Sequence, residues 1–215
     1  MGYDSLNWPV LHLVPPKTRS ILDLGCGGAS MGALLKSRLG CAVTGVTMDP
    51  EEAAMARARI DRVEIADLSS FDPSTLGTFD CVICSHVLEH LAYPKPLLER
   101  VRACLDADGT LIVALPNGVH CKQRLQFARG RFRYTAGGPM DETHLRFYDY
   151  TTAAELLTGS GFAIVSRAAD GHFPLSRVLG SRLAQGVNQS AVSWFPGLFG
   201  WQFVFSCRIA SRASI

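Results

Sequence analysis

The stretch Ile21-Leu22-Asp23-Leu24-Gly25-Cys26-Gly27-Gly28-Ala29-Ser30 decides the fold of this chain. Its first four residues, apolar except for one acid, predict a short strand. Its glycines predict a tight turn, and Ser30 begins a helical pattern that continues to Leu39. Glycines at such a turn let the backbone approach a ligand closely beside a helix N-terminus. The stretch therefore predicts a ligand-binding strand–turn–helix unit.

Two features of this turn distinguish between possible ligands. A dinucleotide fingerprint requires glycine at the last position of G-x-G-x-x-G, and Ser30 stands there. Asp23 precedes the first glycine, where a carboxylate would repel a pyrophosphate but attract a ligand that carries an amino group. The turn thus indicates S-adenosylmethionine rather than a nicotinamide dinucleotide.

Outward from this turn, short apolar runs alternate with helical patterns. Strands are expected at 20–24, 42–48, 62–66, 79–85, 110–115, 162–167 and 200–209, and helices at 30–39, 50–60, 97–105 and 151–157. Asp108-Gly109 is expected to end the third of these helices before the fifth strand. This alternation is typical of βαβ units and of a parallel sheet that helices cover on both faces.

Composition excludes several classes of protein. The 215 residues, 47% of them hydrophobic, suit one domain with a full core. No apolar run approaches the ~20 residues that span a bilayer, and the N-terminus lacks the features of a signal peptide. Seven scattered cysteines suit reduced thiols in a cytoplasmic protein. Cys81 and Cys84 are three residues apart on a predicted strand and should face opposite ways, so we expect no metal site there.

Charge is balanced overall but unevenly distributed. With 21 basic and 19 acidic residues the net charge is +2, so nucleic-acid binding is not expected. Residues 1–117 carry 10 basic and 14 acidic side chains, whereas residues 118–215 carry 11 and 5. Five cations and no acid lie between 122 and 133, among them Arg131 and Arg133. They could bind a phosphate group or dock peripherally on an anionic membrane; a solvated helix face is the alternative.

The glycine turn resembles motif I of class I S-adenosylmethionine-dependent methyltransferases, and the order of elements over about 18–170 is similar to that family. Three later segments share the resemblance: Asp67-Leu68, the run 80–90 with its Leu-Glu-His ending, and the pair 108–111 and Pro116-Asn117. The resemblance implies a Rossmann-like, doubly wound α/β domain. Its seven-stranded sheet would be mainly parallel, with one antiparallel strand near the C-terminus.

The resemblance also implies which residues bind S-adenosylmethionine and its product S-adenosylhomocysteine. The methionine end would lie at Asp23, Gly25, Cys26 and Gly27, the ribose and adenine at Thr47 and Met48, the adenine at Asp67 and Leu68, and Ser85 and His86 would line the site. Two positions depart from the family. Thr47 stands where an acid usually binds both ribose hydroxyls, and Ala29 stands where a third glycine is usual. Asp49 could replace the missing acid, although a helix N-cap is its favoured role.

The acceptor site is expected beyond the fifth strand. Residues 140–148 resemble the D-x-T-H-L-R-F run of a methyltransferase subgroup, and His144 is the candidate general base. Alternatively, His144 and Arg146 only tie this segment to the core. Candidate acceptor-binding residues are Asn117, Arg131, Arg133, Arg146 and His172, the last also an alternative base.

We therefore expect one domain over 1–215, with a core of about 18–117 and 150–210. Insertions of about 118–149 and 171–199 would cover the acceptor side. The favoured function is transfer of a methyl group from S-adenosylmethionine to a small molecule, at a sugar or natural-product hydroxyl, without a metal. Two alternatives are N- or C-methylation of an aromatic or quinone-type acceptor, and a non-catalytic partner protein similar to MetW-like proteins.

Overall fold

The computed structural model describes residues 6–171, 188 and 190–211, and its centre is a seven-stranded sheet. In chain order the strands are β1 Ser20–Leu24, β2 Ala42–Thr47, β3 Arg62–Ile65, β4 Phe79–Ser85, β5 Leu105–Pro116, β6 Phe162–Gly171 and β7 Gly200–Ile209. Their spatial order is β3-β2-β1-β4-β5-β7-β6, and β7 runs antiparallel to both of its neighbours. The predicted Rossmann-like α/β sheet with one antiparallel strand is confirmed.

Helices pack around this sheet and connect its strands. They are α1 Trp8–Leu13, α2 Ser30–Leu39, α3 Pro50–Arg57, α4 Pro94–Cys104, α5 Cys121–Ala128, α6 Tyr150–Thr158 and a single-turn helix Pro196–Phe199. Two 3₁₀ turns, Pro73–Leu76 and Leu88–His90, flank β4. None of these helices is long and apolar enough to cross a bilayer, within the residues described.

Strand β4 shows how the core is divided between the two faces of the sheet. Val82 and Cys84 belong to one buried cluster, and Cys81 and Ile83 belong to the other. The strand is thus buried on both faces, as its continuous apolar run predicts. Cys81 and Cys84 face opposite layers as expected, and burial raises the pKa of both thiols. They are structural core residues.

The start of β5 differs from the sequence prediction. The strand begins at Leu105, and its pairing with β4 jumps from Phe79↔Leu105 to Cys81↔Thr110. Residues 106–109 therefore form a bulge inside the strand rather than a turn that ends a helix. Gly109 is required there, because a Cβ atom would lie 2.8 Å from Cγ of Leu105. The Asp108-Gly109 pair was misread because bulges and turns use the same residues.

Helix positions also differ, and α3 ends at Arg57, three residues before the expected end at residue 60. Helix α4 begins at Pro94, three residues before the expected start, with proline in the first turn as is common. Helix α5 lies within the segment 118–149, for which no regular structure was expected. Its N-cap is the imidazole of His120, whose Nδ1 accepts from the backbone N–H of Lys122 at 3.3 Å. Histidine is not a usual helix cap, so the start of α5 lacks a strong sequence signal. Helix α1 is a further difference from the expected helices, because its six residues are too few to show a clear helical period.

Candidate active site

The carboxyl ends of β1 to β5 meet at one edge of the sheet, which is where open α/β sheets bind ligands. Four buried side-chain polar atoms in the described part of the chain lack a hydrogen-bond partner: Asp23 Oδ2, Glu89 Oε2, His144 Nδ1 and Tyr148 OH. Each belongs to a residue at this edge or in the segment that packs on it. Since buried polar atoms are normally paired, the grouping of these four unpartnered atoms at one edge indicates a site at which a ligand or a proton binds.

The glycine turn follows β1 and is held against β2. The N–H groups of Gly25 and Cys26 both donate to the carbonyl of Val46, at 2.8 and 3.0 Å. Gly25 has φ +75°, and a Cβ atom there would lie 2.5 Å from Cγ2 of Val87, so only glycine fits. Ala29 has φ 61°, the left-handed conformation for which the family's usual glycine is better suited.

Asp23 lies in β1 just before this turn and is 2% exposed. Burial raises the pKa of its carboxyl group from 3.8 to about 7. Its Oδ2 atom has no partner. A cationic ligand at the turn would supply the missing partner and favour the ionised carboxylate, so this position fits the amino group of S-adenosylmethionine.

The end of β2 carries Thr47 and Met48. Met48 is 70% exposed, which leaves an apolar side chain uncovered at this edge. Asp49 caps helix α3, and its Oδ1 accepts from the N–H groups of Glu51 and Glu52 at 2.7 and 3.4 Å. The N-cap role expected for Asp49 is confirmed. The hydroxyl of Thr47 donates to Glu52 Oε2 at 2.8 Å, a contact that sequence reasoning missed.

The adenine-side pair Asp67-Leu68 follows β3. Leu68 is buried, whereas Asp67 is exposed and its Oδ1 accepts from the N–H of Ser69 at 2.8 Å. Hydrogen bonds from Ser69 lower the pKa of Asp67 below its usual value. The carboxylate is therefore ionised near neutral pH and can accept from an amino group in solvent-accessible space.

The end of β4 carries a polar network centred on His86, which has φ 57°. Its Nδ1 lies 3.0 Å from Glu89 Oε1, and its Nε2 lies 3.0 Å from Gln202 Oε1. Asn7 completes the network by donating to Ser85 Oγ at 3.2 Å and to Gln202 Oε1 at 2.8 Å. Because both ring nitrogens face oxygen acceptors, the arrangement favours the doubly protonated ring.

The pKa of His86 agrees with this arrangement. Burial lowers it, but the hydrogen bond to Glu89 and the charge of that carboxylate outweigh burial, so the pKa is raised overall. The ring of His86 therefore holds a proton more tightly than an ordinary imidazole, which makes it less suited to act as a base. This supports the expectation that His86 lines the site rather than transferring protons.

Glu89 connects the edge to the segment that follows β5. Its side chain is completely buried, and its backbone carbonyl accepts from the N–H groups of Leu145 and Arg146 at 2.9 and 3.0 Å. These bonds bring His144 onto the edge, with its ring 4.9 Å from that of His90 in an edge-on arrangement. Ligating atoms of Glu89, His90 and His144 lie within 4.8 Å of one another. Such a group can share a proton or a cation.

His144 has the properties expected of a general base. It is 9% exposed, and its Nδ1 has no hydrogen-bond partner. Burial lowers its pKa, partly opposed by the charge of Glu89. The ring is therefore neutral near pH 7 and its unpartnered Nδ1 can accept a proton, whereas the pKa of His86 is raised.

The structure uses the other predicted acceptor-binding residues differently. Asn117 is fully buried: its Nδ2 donates to the carbonyls of Gly197 and Gly200, and its Oδ1 accepts from Val119 N–H. Arg146 donates twice to the carbonyl of Ala92, which ties the segment to the core. Acceptor binding by these two stays a prediction without support. Arg131 and Arg133 are exposed, and His172 lies outside the described residues.

Comparison with known proteins identifies the family. A model of the methyltransferase domain matches residues 8–167. The chain belongs to this methyltransferase family. The predicted resemblance to class I S-adenosylmethionine-dependent methyltransferases is therefore confirmed, and the family implies S-adenosylmethionine as the cofactor.

Curated relatives match part of the chain. It is 33% identical over 121 residues to the ubiquinone biosynthesis O-methyltransferase of Xanthomonas campestris pv. campestris (strain B100), covering 52% of this chain and 48% of that one. The mitochondrial ubiquinone biosynthesis O-methyltransferase of Schizosaccharomyces pombe is 34% identical over 103 residues, which cover 45% of this chain and 37% of that one. The chain thus spans about half or less of the length of these relatives.

Solved structures share the fold at low sequence identity. A SAM-dependent methyltransferase from Archaeoglobus fulgidus has a TM-score of 0.60 and 20% identity, covering 88% of this chain and 85% of that one. An S-adenosylmethionine-dependent methyltransferase from Mesorhizobium loti has a TM-score of 0.62 and 21% identity, and the match covers 94% of this chain and 96% of that one. These neighbours confirm the fold of the domain.

Proposed function

We propose that this protein transfers a methyl group from S-adenosylmethionine to a hydroxyl oxygen of a small molecule. The observation that carries the proposal is the set of unpartnered buried polar atoms at the carboxyl edge. Asp23 offers a carboxylate to a cationic ligand, and His144 offers a neutral imidazole to a proton. A methyl transfer to a hydroxyl needs both: a site for the charged cofactor and a base for the acceptor's proton.

The cofactor's place follows from the order of residues along the edge. Asp23, Gly25, Cys26 and Gly27 would hold the methionine end beside the N-terminus of α2. The ribose and adenine would lie against Thr47, Met48, Asp67 and Leu68, and Ser85 and His86 would close the site. When bound, S-adenosylmethionine supplies an electrophilic methyl group on a positively charged sulfur. The protein then has to orient the acceptor and remove its proton.

We propose that Nδ1 of His144 accepts the proton that the acceptor hydroxyl loses. Burial keeps the ring neutral before the reaction, so a lone pair is available. The carboxylate of Glu89, which lies in the same group, would stabilise the imidazolium that forms. Glu89 Oε1 already lies 3.0 Å from His86 Nδ1, so its unpartnered Oε2 is the oxygen left for this role.

The residues around His144 favour an acceptor that carries a ring. The ring of Phe147 lies 6.2 Å from that of His144, and it continues into a cluster with Phe132, Tyr134 and Phe127. Phe132 and Tyr134 are more than half exposed. Exposed rings beside a base can stack on an aromatic natural product. The curated relatives are named as O-methyltransferases of ubiquinone biosynthesis, which agrees with a hydroxylated ring more than with a sugar.

The basic segment extends this acceptor side. Two of its five cations are engaged: Arg124 donates to the carbonyl of Val119 at 2.7 Å, and Lys122 lies 4.9 Å from the ring centre of Trp201. Arg131 and Arg133 are exposed on either side of Phe132. We propose that these two arginines contact the phosphate of an acceptor that carries one, or an anionic membrane surface. The seven free cysteines support a reducing compartment such as the cytoplasm.

Calorimetry tests the cofactor, and labelled methyl transfer tests the reaction. We expect S-adenosylmethionine and S-adenosylhomocysteine to bind with micromolar affinity and Asp67→Ala to weaken that binding strongly. Asp108→Asn is the control, since Asp108 is exposed in the β5 bulge. Turnover would then be compared between phenolic and sugar hydroxyls. Binding without turnover on either class would favour a non-catalytic partner protein, and methylation of ring nitrogen or carbon would overturn the choice of oxygen.

A further inference from the structure

An acid from helix α3 stands at the end of β2, where the strand itself has none. Thr47 is the last residue of β2 and is 4% exposed. Its Oγ1 donates a hydrogen bond to Glu52 Oε2 at 2.8 Å. Glu52 is half-buried and lies in the first turn of α3, five residues further along the chain. The helix thus turns a carboxylate back onto the strand end.

Local hydrogen bonds fix the roles of these groups. Thr47 Oγ1 accepts from the N–H of Asp49 at 3.3 Å, while its single proton goes to Glu52. Asp49 is committed to capping α3 through its Oδ1. The hydroxyl of Thr47 therefore has no second proton to donate, and one carboxylate oxygen of Asp49 is used by the helix N-terminus. Glu52 remains as the acid of this turn that is directed at the strand end.

The location of this carboxylate matches the cofactor side of the edge. Val46, which precedes Thr47, accepts hydrogen bonds from the N–H groups of Gly25 and Cys26 in the glycine turn. Met48, which follows Thr47, is the exposed apolar residue of the same strand end. Thr47, to which Glu52 is bonded, therefore lies between the residue that holds the glycine turn and the apolar side chain expected near the adenine.

We propose that Glu52, held by Thr47, binds the ribose hydroxyls of the cofactor in place of an acid on β2. A carboxylate offers about four acceptor sites, and Thr47 uses one of them. The remaining sites can accept from two neighbouring hydroxyls, which the single oxygen of threonine cannot do. This inference rests on the proposed function and assigns a residue that the sequence pattern does not indicate.

Ribose-modified ligands test the assignment without measuring activity. Calorimetry would compare S-adenosylhomocysteine with its 2′,3′-dideoxy analogue on wild-type protein and on Glu52→Gln. We expect Glu52→Gln to bind S-adenosylhomocysteine about 10- to 100-fold more weakly, the usual effect of losing hydrogen bonds to a charged group. The dideoxy analogue should bind both proteins alike, because it has no hydroxyls for the carboxylate to hold.

Two further variants separate ribose binding from local structure. Glu51→Gln is the matched control, since Glu51 is an exposed acid in the same turn and should leave both affinities unchanged. Thr47→Asp combined with Glu52→Gln should restore tight binding by returning an acid to β2. Thermal melting would show that each variant is folded.

The outcomes distinguish this inference from the function on which it rests. Equal affinity of wild type and Glu52→Gln for S-adenosylhomocysteine would overturn the role of Glu52 and leave the methyltransferase proposal standing. An equal loss for the dideoxy analogue would do the same, since it would show a structural effect. Absence of binding to the folded wild-type protein would overturn both.

Discussion

The buried carboxyl group of Asp23 should make the stability of the free protein fall as pH rises. Its pKa is about 7 in the folded protein and 3.8 in the reference state, because burial penalises the charge. The folded state therefore holds the proton more tightly than the unfolded state. The contribution of Asp23 to the stability of the folded protein is most favourable below about pH 4, and it declines between about pH 4 and pH 7.

The magnitude follows from the difference in pKa. At 1.36 kcal/mol per unit, the raised pKa of Asp23 lowers the stability of the folded state by on the order of 4 kcal/mol at pH 8. At pH 5, where the folded carboxyl group is still protonated but the unfolded one is ionised, the loss is about 2 kcal/mol. Asp23→Asn removes this cost, although the buried amide brings a pH-independent cost of its own. The stability of the variant relative to wild type should therefore rise by about 3 kcal/mol from pH 5 to pH 8.

Urea unfolding of both proteins at pH 5, 6.5 and 8 measures this difference. Other titrating groups are shared by the two proteins and cancel in the comparison. The cofactor adds a second measurement, because an ionised Asp23 would pair with its amino group. Binding of S-adenosylhomocysteine to wild type should release about 0.9 proton at pH 6 and about 0.1 at pH 8. A pH-independent stability difference, together with proton release below about 0.2 at pH 6, would refute the reasoning.

Three other predictions concern catalysis and the glycine turn. His144→Gln should lower kcat by about 10² to 10⁴ and leave the affinity for S-adenosylhomocysteine unchanged, since it removes only the base; an unchanged kcat would exclude His144. Chelation with EDTA should leave turnover intact, because we assign proton transfer to His144 with the support of Glu89; activity lost on chelation and restored by a divalent ion would make Glu89, His90 and His144 metal ligands. Gly25→Ala should abolish cofactor binding and lower the melting temperature, because the new Cβ would lie 2.5 Å from Val87; unchanged binding and melting in calorimetry would contradict the close packing of this turn.

Local patterns predicted most of the sheet. The strands Ser20–Leu24, Phe79–Ser85 and Gly200–Ile209 were placed with their observed bounds, because each is an apolar run bounded by turn residues or a break in hydrophobicity. The β5 bulge was missed because its residues are also those of a turn. Helix α5 was missed because an imidazole stacked on Trp201 provides its cap.

The sequence by itself determined the fold family, because the glycine turn and the strands around it are local patterns. It also predicted cofactor contacts at Asp23 and Asp67, which each lie within a few residues of a strand end. Only the tertiary structure decided how the edge works. It showed that two predicted site histidines have different surroundings: His86 lies between two oxygen acceptors, whereas His144 is buried and its Nδ1 has no hydrogen-bond partner. It also brought Glu52 back onto Thr47. Charge state and side-chain direction depend on neighbours that are distant in the chain or on the far side of a helical turn, and a linear pattern does not contain them.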